Sequence, residues 1–218
     1  MVKPDRHSVA TGAALILIVV VIVTIQFWLP ESVTVGPFWL IPVIELSGIP
    51  IVIAITRKWG TEQVVVHRVM TGYLVLLVLA CVMNALLLLI SMLRGSDESG
   101  VYLLLAGFGV LAINVLSFGL VYWWIDGGGP AKRHAGNVTS PDFLFPQQAQ
   151  QVAGWRPGLI DYLFTAYTNI IAFSPTDTMP LSHRVKILFT VQSATALLTI
   201  VVTLSRAINL IPGGMPGS

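Results

Sequence analysis

Four long apolar runs occupy the first 126 positions of the chain, and short polar connections separate them. The runs cover residues 9–28, 37–56, 69–92 and 101–125. About 20 apolar residues at 1.5 Å each cross the hydrocarbon core of a bilayer, so runs of this length are typical of transmembrane helices. The pattern predicts four membrane spans in the region 1–126, which forms the first unit of the chain.

A long connection, residues 127–158, forms the second unit. A Gly-Gly-Gly-Pro sequence at its start ends the fourth helix, because proline and successive glycines do not continue a helix. The connection is rich in Gly, Pro, Gln and Asn, but residues 141–146 are apolar enough to lie on the bilayer or to dock on the bundle. Loops of this length are often functional. We expect either a plain linker or a functional segment.

The third unit, residues 159–218, combines a short apolar segment, a polar turn and a full-length apolar helix. The segment 159–173 is shorter than the ~20 residues of a full span. It either crosses the membrane, which gives six spans, or enters and returns on one side, which gives five spans and a re-entrant half-helix. Both interpretations predict an all-α, polytopic transmembrane helical bundle.

Composition supports membrane insertion. The chain is 55% hydrophobic and 10% charged, with a mean hydropathy of +0.83, whereas soluble domains carry about 25% charged residues. A net charge of +2 gives no argument for nucleic-acid binding. The lipid bilayer is therefore the predicted surrounding, and no nucleic-acid partner is expected.

Basic residues fall mainly on one side when four spans alternate, and this side is cytoplasmic by the positive-inside rule. The first apolar run is longer than the core of a signal peptide, so we interpret it as a retained helix with a cytoplasmic N-terminus. Arg184 and Lys186 favour a cytoplasmic turn at 174–182, whereas Arg206 favours the opposite. The basic residues on the predicted cytoplasmic side are Lys3, Arg6, Arg57, Lys58, Arg68, Lys132, Arg133 and Arg156, and only Arg94 lies opposite.

Polar residues interrupt the predicted spans at depth. Glu45 lies near the middle of the second helix, and Asn84, Asn114 and Gln192 lie in the third, fourth and last. A carboxyl group at the bilayer centre costs a few kcal/mol, so Glu45 is expected to face the bundle interior. The four residues could form one midplane polar layer. That layer is either a proton- or ion-handling site or a set of interhelical hydrogen bonds worth about 0.6 kcal/mol each.

The segment 165–207 resembles the pore helix, filter and inner helix of potassium channels. Residues 177–180, Asp-Thr-Met-Pro, match the Asp-x-x-Pro that follows the filter of that family. Ser182 stands where the family often has threonine, Lys186 meets a commonly basic position, and Ala196 meets the glycine hinge of the inner helix. The short aromatic helix before the turn resembles a pore helix.

This resemblance implies an ion pathway past Thr168, Ser174, Thr176 and Asp177, with Glu45 as a buried gate or proton site. It also implies a homo-tetramer, because one loop cannot enclose a pathway. The filter positions 172–176 contain no glycine, so potassium selectivity is not implied. Independently of any pathway, the Ser- and Pro-rich turn could simply cap the last helix.

The whole chain also resembles small multi-pass membrane proteins of bacteria that share a short Asp-Tyr-Leu helix, a Phe-x-x-x-Asp turn and a C-terminal helix. This resemblance implies the bacterial inner membrane and no particular activity. We predict an ion channel or ion-coupled transporter, or alternatively a structural protein that binds a partner through residues 141–147. No Ser/His, paired-Asp or metal-ligand spacing is present, so we predict no enzyme, catalytic residue, metal or cofactor.

Overall fold

The structure is a computed structural model that describes residues 6–59, 64–94, 99–136, 138, 140–171 and 177–210. Within these ranges the chain is almost wholly helical, which confirms the predicted all-α class. The helices are α1 (Arg6–Trp28), α2 (Leu40–Trp59), α3 (Val64–Arg94), α4 (Gly100–Ile125), α5 (Pro130–His134), α6 (Pro146–Ala149), α7 (Leu159–Ile171) and α8 (His183–Leu210). Two short strands, β1 (Phe143–Leu144) and β2 (Met179–Pro180), pair antiparallel.

Three of the described helical segments are long and apolar enough to cross a membrane, namely Val64–Arg94, Gly100–Gly128 and His183–Ser205. The apolar segments Ala13–Trp28 and Leu40–Thr56 are shorter. The chain therefore has the helices of a membrane protein, but the expected count of five or six long spans does not match these three.

Helix α4 lies at the centre of the bundle and packs against α1, α3, α7 and α8. Its residues from Ser117 to Trp124 are buried on every side of the helix. Two of its contacts depend on glycine: a Cβ on Gly107 would lie 2.0 Å from Thr203 Oγ1, and a Cβ on Gly119 would lie 2.6 Å from Leu163 Cδ2. Small residues thus let α7 and α8 approach the α4 backbone closely.

Helices α7 and α8 run in the same direction, away from the C-terminal end of α4. Near the start of α7, the Tyr162 hydroxyl donates to the carboxylate of Asp126, which directly follows α4. At the start of α8, the Arg184 guanidinium donates to the Ile125 carbonyl (3.2 Å). Further along both helices, the Asn169 amide donates to the Phe189 carbonyl (3.3 Å).

Strand β2 lies beside the long connection, at the end of α4 where α7 begins. Strand β2 precedes α8 and pairs with β1 of the long connection, with Phe143 opposite Pro180 and Leu144 opposite Met179. Helix α7 thus begins beside the end of α4, and by Met179 the chain is back at that same end.

Candidate functional site

A pair of buried aspartates joins the long connection to the starts of α7 and α8, and we call this pair the aspartate anchor. Asp126 Oδ1 accepts from the backbone N–H groups of Asp142 (2.8 Å) and Phe143 (3.3 Å). Asp126 Oδ2 accepts from the Tyr162 hydroxyl of α7. One carboxylate therefore fixes both the long connection and the first turns of α7.

The second member of the anchor, Asp142, holds the start of α8. Its carboxylate accepts from the Gly127 N–H (3.1 Å) and forms an ion pair with Arg184, whose Nε lies 2.7 Å from Oδ1. Burial raises the pKa of the Asp142 carboxyl. The opposing effects are larger: hydrogen bonds from Arg184 and Ser182, the positive charge of Arg184 and the hydrogen bond from the Gly127 N–H. The pKa of Asp142 therefore lies below its ordinary value. Asp142 is thus ionised at neutral pH.

The apolar part of the long connection is docked on the bundle, as one of the two expectations had it. Phe143 and Phe145 are buried. The Phe143 ring centroid lies 5.4 Å from that of Tyr122 and 5.9 Å from that of Phe189, while Phe145 packs at 5.6 Å from Trp155. Of the two locations expected for residues 141–146, the bilayer surface and the bundle, the structure has the second.

Gln192 is the centre of a second buried group, the glutamine hub, which links α4, α7 and α8. Its Oε1 accepts from the Tyr122 hydroxyl (2.7 Å) and from Asn169 Nδ2 (2.8 Å). Its Nε2 donates to Asn114 Oδ1 (3.1 Å) and to the Ala166 carbonyl (3.0 Å). Both hydrogens and both lone pairs of the amide are used, so the hub is fully satisfied.

A third buried group, the Glu45 triad, joins α1, α2 and α3. Asn84 Nδ2 donates to Gln26 Oε1 (2.8 Å), and Gln26 Nε2 donates to Glu45 Oε1 (3.3 Å). All three side chains are at most 1% exposed. Glu45 is the sixth residue of α2 (Leu40–Trp59), so it lies closer to one end of the helix than the expected central position.

The four polar residues of the predicted midplane layer are thus divided between two groups. Asn114 and Gln192 belong to the glutamine hub, whereas Glu45 and Asn84 belong to the triad and meet through Gln26. Within the described part of the chain, no hydrogen bond joins the hub to the triad.

The predicted pathway residues have different surroundings. The Thr168 hydroxyl donates to the Phe164 carbonyl of its own helix (3.0 Å), and Asp177 is exposed at the end of the turn. Its neighbour Thr178 is buried and accepts from the Thr165 hydroxyl (3.3 Å). Ser174 and Thr176 lie outside the described residues.

Sequence reasoning missed several residues of these groups. Gln26 is a lone amide near the end of an apolar run, and that signal could have placed it with the other buried amides. Asn169 lies on the same face of α7 as Tyr162 and Thr165, which the 3- and 4-residue spacing reveals. The partnership of Asp126 with Asp142 has no local sequence signal.

Among the described residues, no group of three His, Cys, Asp or Glu side chains is placed to hold a metal ion. Comparisons of the chain with protein-family models, curated proteins and solved structures give no significant match.

Proposed function

We propose that the protein is an ion channel or ion-coupled transporter of the bacterial inner membrane, with a pathway past a re-entrant α7 and the start of α8. The observation that carries this proposal is the parallel course of α7 and α8 from the same end of α4. A half-helix that enters beside a full helix, followed by a return segment, is the arrangement of a pore loop.

The depth of α7 supports a re-entrant loop. The Ser193 hydroxyl donates to the Asn169 carbonyl (3.4 Å), and Ser193 lies about 15 Å along α8 from its start at 1.5 Å per residue. That distance is about half of a ~30 Å hydrocarbon core. The proposed pathway runs past Ser174, Thr176 and Asp177, of which Asp177 is described and exposed.

The proposed topology has five spans, α1 to α4 and α8, with the end of α4 and the N-terminus in the cytoplasm. With α7 re-entrant, Arg184 and Lys186 join the basic residues of the long connection on one side, which agrees with the positive-inside rule. The short apolar segments of α1 and α2 can span by local thinning of the bilayer. One such loop cannot enclose a pathway, so the proposal includes a homo-oligomer, a tetramer if it is pore-like.

Side-specific labelling of single cysteines tests the topology. In a Cys81→Ala background, the probes are Ala135→Cys in the long connection, Met179→Cys in β2 and Glu31→Cys between α1 and α2, all at exposed positions. We expect a membrane-impermeant maleimide to label the first two from the cytoplasmic side and Glu31→Cys from the other. Labelling of Ala135→Cys and Met179→Cys from opposite sides would refute the re-entrant loop.

Flux in liposomes tests the activity. The purified protein is reconstituted with gradients of K⁺, Na⁺ or H⁺, and Asp177→Asn is compared with Asp161→Asn. Asp161 caps α7 by accepting from the Gly158 N–H (2.7 Å), away from the proposed pathway. We expect Asp177→Asn to lower flux at least tenfold and Asp161→Asn to leave it within about twofold. The absence of flux in correctly oriented wild type would favour the structural, partner-binding alternative.

That alternative has less support in its original form. Phe143 and Phe145 would have been the anchors for a partner on residues 141–147, but both rings are buried in the protein's own bundle. A partner would have to bind the exposed remainder of the long connection. A stoichiometric partner that co-purifies with the wild type and still co-purifies with Phe145→Ala would show that the partner binds the exposed part of the long connection.

A further inference from the structure

We propose that the Glu45 triad is an occluded binding site for one monovalent metal cation, and that Na⁺ is the cation that its donors suit. The site consists of the carboxylate of Glu45 and the side-chain amides of Gln26 and Asn84. This inference adds a coupling ion to the proposed function, but the binding itself does not depend on transport.

The direction of the hydrogen bonds leaves two oxygens without partners. An ionised carboxylate only accepts, so Gln26 turns Nε2 towards Glu45 and Oε1 towards Asn84 Nδ2. Asn84 then keeps Oδ1 free. Both Glu45 Oε2 and Asn84 Oδ1 are buried and have no hydrogen-bond partner. Buried polar atoms without partners are uncommon, and two in one connected group make the triad a candidate ligand site.

The charge of Glu45 needs compensation. No lysine or arginine among the described side chains forms an ion pair with it, and the Tyr73 hydroxyl donates to its backbone carbonyl (2.8 Å) rather than to its carboxylate. A fully buried, unpaired carboxylate is strongly unfavourable in a low-dielectric interior. A single positive charge at the site would balance it.

The donor set selects the class of cation. Carboxylate and amide oxygens are hard ligands that suit alkali and alkaline-earth ions rather than zinc or copper. One carboxylate balances one charge, whereas calcium sites use six to eight oxygens and commonly several carboxylates. A proton on Glu45 would also neutralise the carboxylate, and reversing the amides of Gln26 and Asn84 would then pair Asn84 Oδ1. The comparison of salts and pH described below distinguishes a bound proton from a bound cation. In the proposed site, Na⁺ is bound by the two free oxygens, Glu45 Oε2 and Asn84 Oδ1.

The test measures binding to the full-length protein in detergent, without any flux assay. Thermal unfolding is followed in NaCl, KCl and N-methylglucamine chloride at equal ionic strength and pH, and ²²Na⁺ binding is measured by equilibrium dialysis. We expect a saturable rise of Tm in NaCl, since a ligand that binds only the folded state stabilises it, and one bound ²²Na⁺ per chain. Glu45→Gln should abolish both effects, and Asn84→Ala should weaken Na⁺ binding at least tenfold.

Glu31→Gln is the matched control. Glu31 is an exposed carboxylate in the turn between α1 and α2, so this substitution should leave Na⁺ binding unchanged.

Equal Tm values in all three salts without ²²Na⁺ binding would overturn the inference. A Tm that depends on pH alone, and only with Glu45 present, would identify a proton site instead. If Glu45→Gln does not fold, Asn84→Ala tests the site in its place: weakened Na⁺ binding supports the inference, and unchanged Na⁺ binding contradicts it. Na⁺ binding without flux would contradict the proposed function, whereas flux without Na⁺ binding would contradict this inference alone.

Discussion

Replacing Gln192 with methionine tests whether the glutamine hub holds α7 against α4 and α8. Methionine is close to glutamine in size and shape but has no strong donor or acceptor, so the change removes hydrogen bonds with little change in packing. The four side-chain bonds of Gln192 reach two residues of α4 and two of α7. Their loss should loosen the junction of all three helices.

The expected cost follows from these contacts. Four interhelical bonds at about 0.6 kcal/mol each account for about 2.4 kcal/mol. Asn169 keeps its bond to the Phe189 carbonyl, but the Tyr122 hydroxyl and Asn114 Oδ1 lose their partners. Each unpaired group adds about 1 kcal/mol. We therefore expect Gln192→Met to lower the free energy of unfolding by about 3–5 kcal/mol.

The assay is unfolding by SDS in mixed micelles, followed by tryptophan fluorescence. Thr190→Val is the control on the same helix, because Thr190 is exposed and its hydroxyl donates only to the Lys186 carbonyl of α8 (2.9 Å). It should change the free energy by less than about 0.5 kcal/mol. A folded Gln192→Met protein with wild-type stability would show that the hub does not hold α7 in place.

Three further predictions concern the anchor and the helix contacts. Asp142→Asn should lower the free energy of unfolding by about 1–3 kcal/mol in the same assay, because the Arg184 guanidinium, which is 58% exposed, loses its countercharge. Asp161→Asn is the control and should lower the free energy of unfolding by less. Since the folded pKa of Asp142 is lowered, its contribution is complete above the unfolded pKa of about 4 and is lost as pH falls through the folded pKa. The acid-induced loss of stability below about pH 4 should therefore be smaller in Asp142→Asn than in wild type. Gly107→Ala should lower the free energy of unfolding by about 1–3 kcal/mol, because the new Cβ would lie 2.0 Å from the Thr203 side chain of α8. Gly72→Ala is the control: its Cβ would meet nothing within 4 Å, so the free energy of unfolding should not fall measurably.

The helices themselves could be predicted because apolar runs and breakers are local signals. The first helix was predicted to end at Trp28 and the fourth at Ile125, and both ends are confirmed. The third helix begins at Val64, five residues earlier than the predicted 69, because His67 and Arg68 are tolerated in its first turns. Charged residues near a helix end were interpreted as a connection, but a helix can continue through them.

The course of α7 could not be predicted, because it depends on contacts between residues far apart in the sequence. Asp126 bonds to Tyr162 across 36 positions, and Arg184 bonds to Asp142 across 42. A short apolar segment before a polar turn is compatible both with a transmembrane span and with a re-entrant half-helix. The pairing of the long connection with β2 is likewise a long-range contact, and neither two-residue strand has a recognisable pattern in the sequence.

The orientation of α7 also limits where the proposed pathway can lie. Its polar residues Tyr162, Thr165 and Asn169 face α4 and α8 and are buried, whereas Ile160, Phe164, Tyr167 and Ile171 are exposed and form an apolar outer stripe. One copy of α7 therefore presents no polar wall to a pathway outside its own bundle. A pathway between copies would pass the exposed Lys186 and Thr190 of α8, which lie one helical turn apart. Of the two described pathway candidates, Thr168 donates to carbonyls of its own helix and Asp177 is exposed, so Asp177 is the candidate to test first.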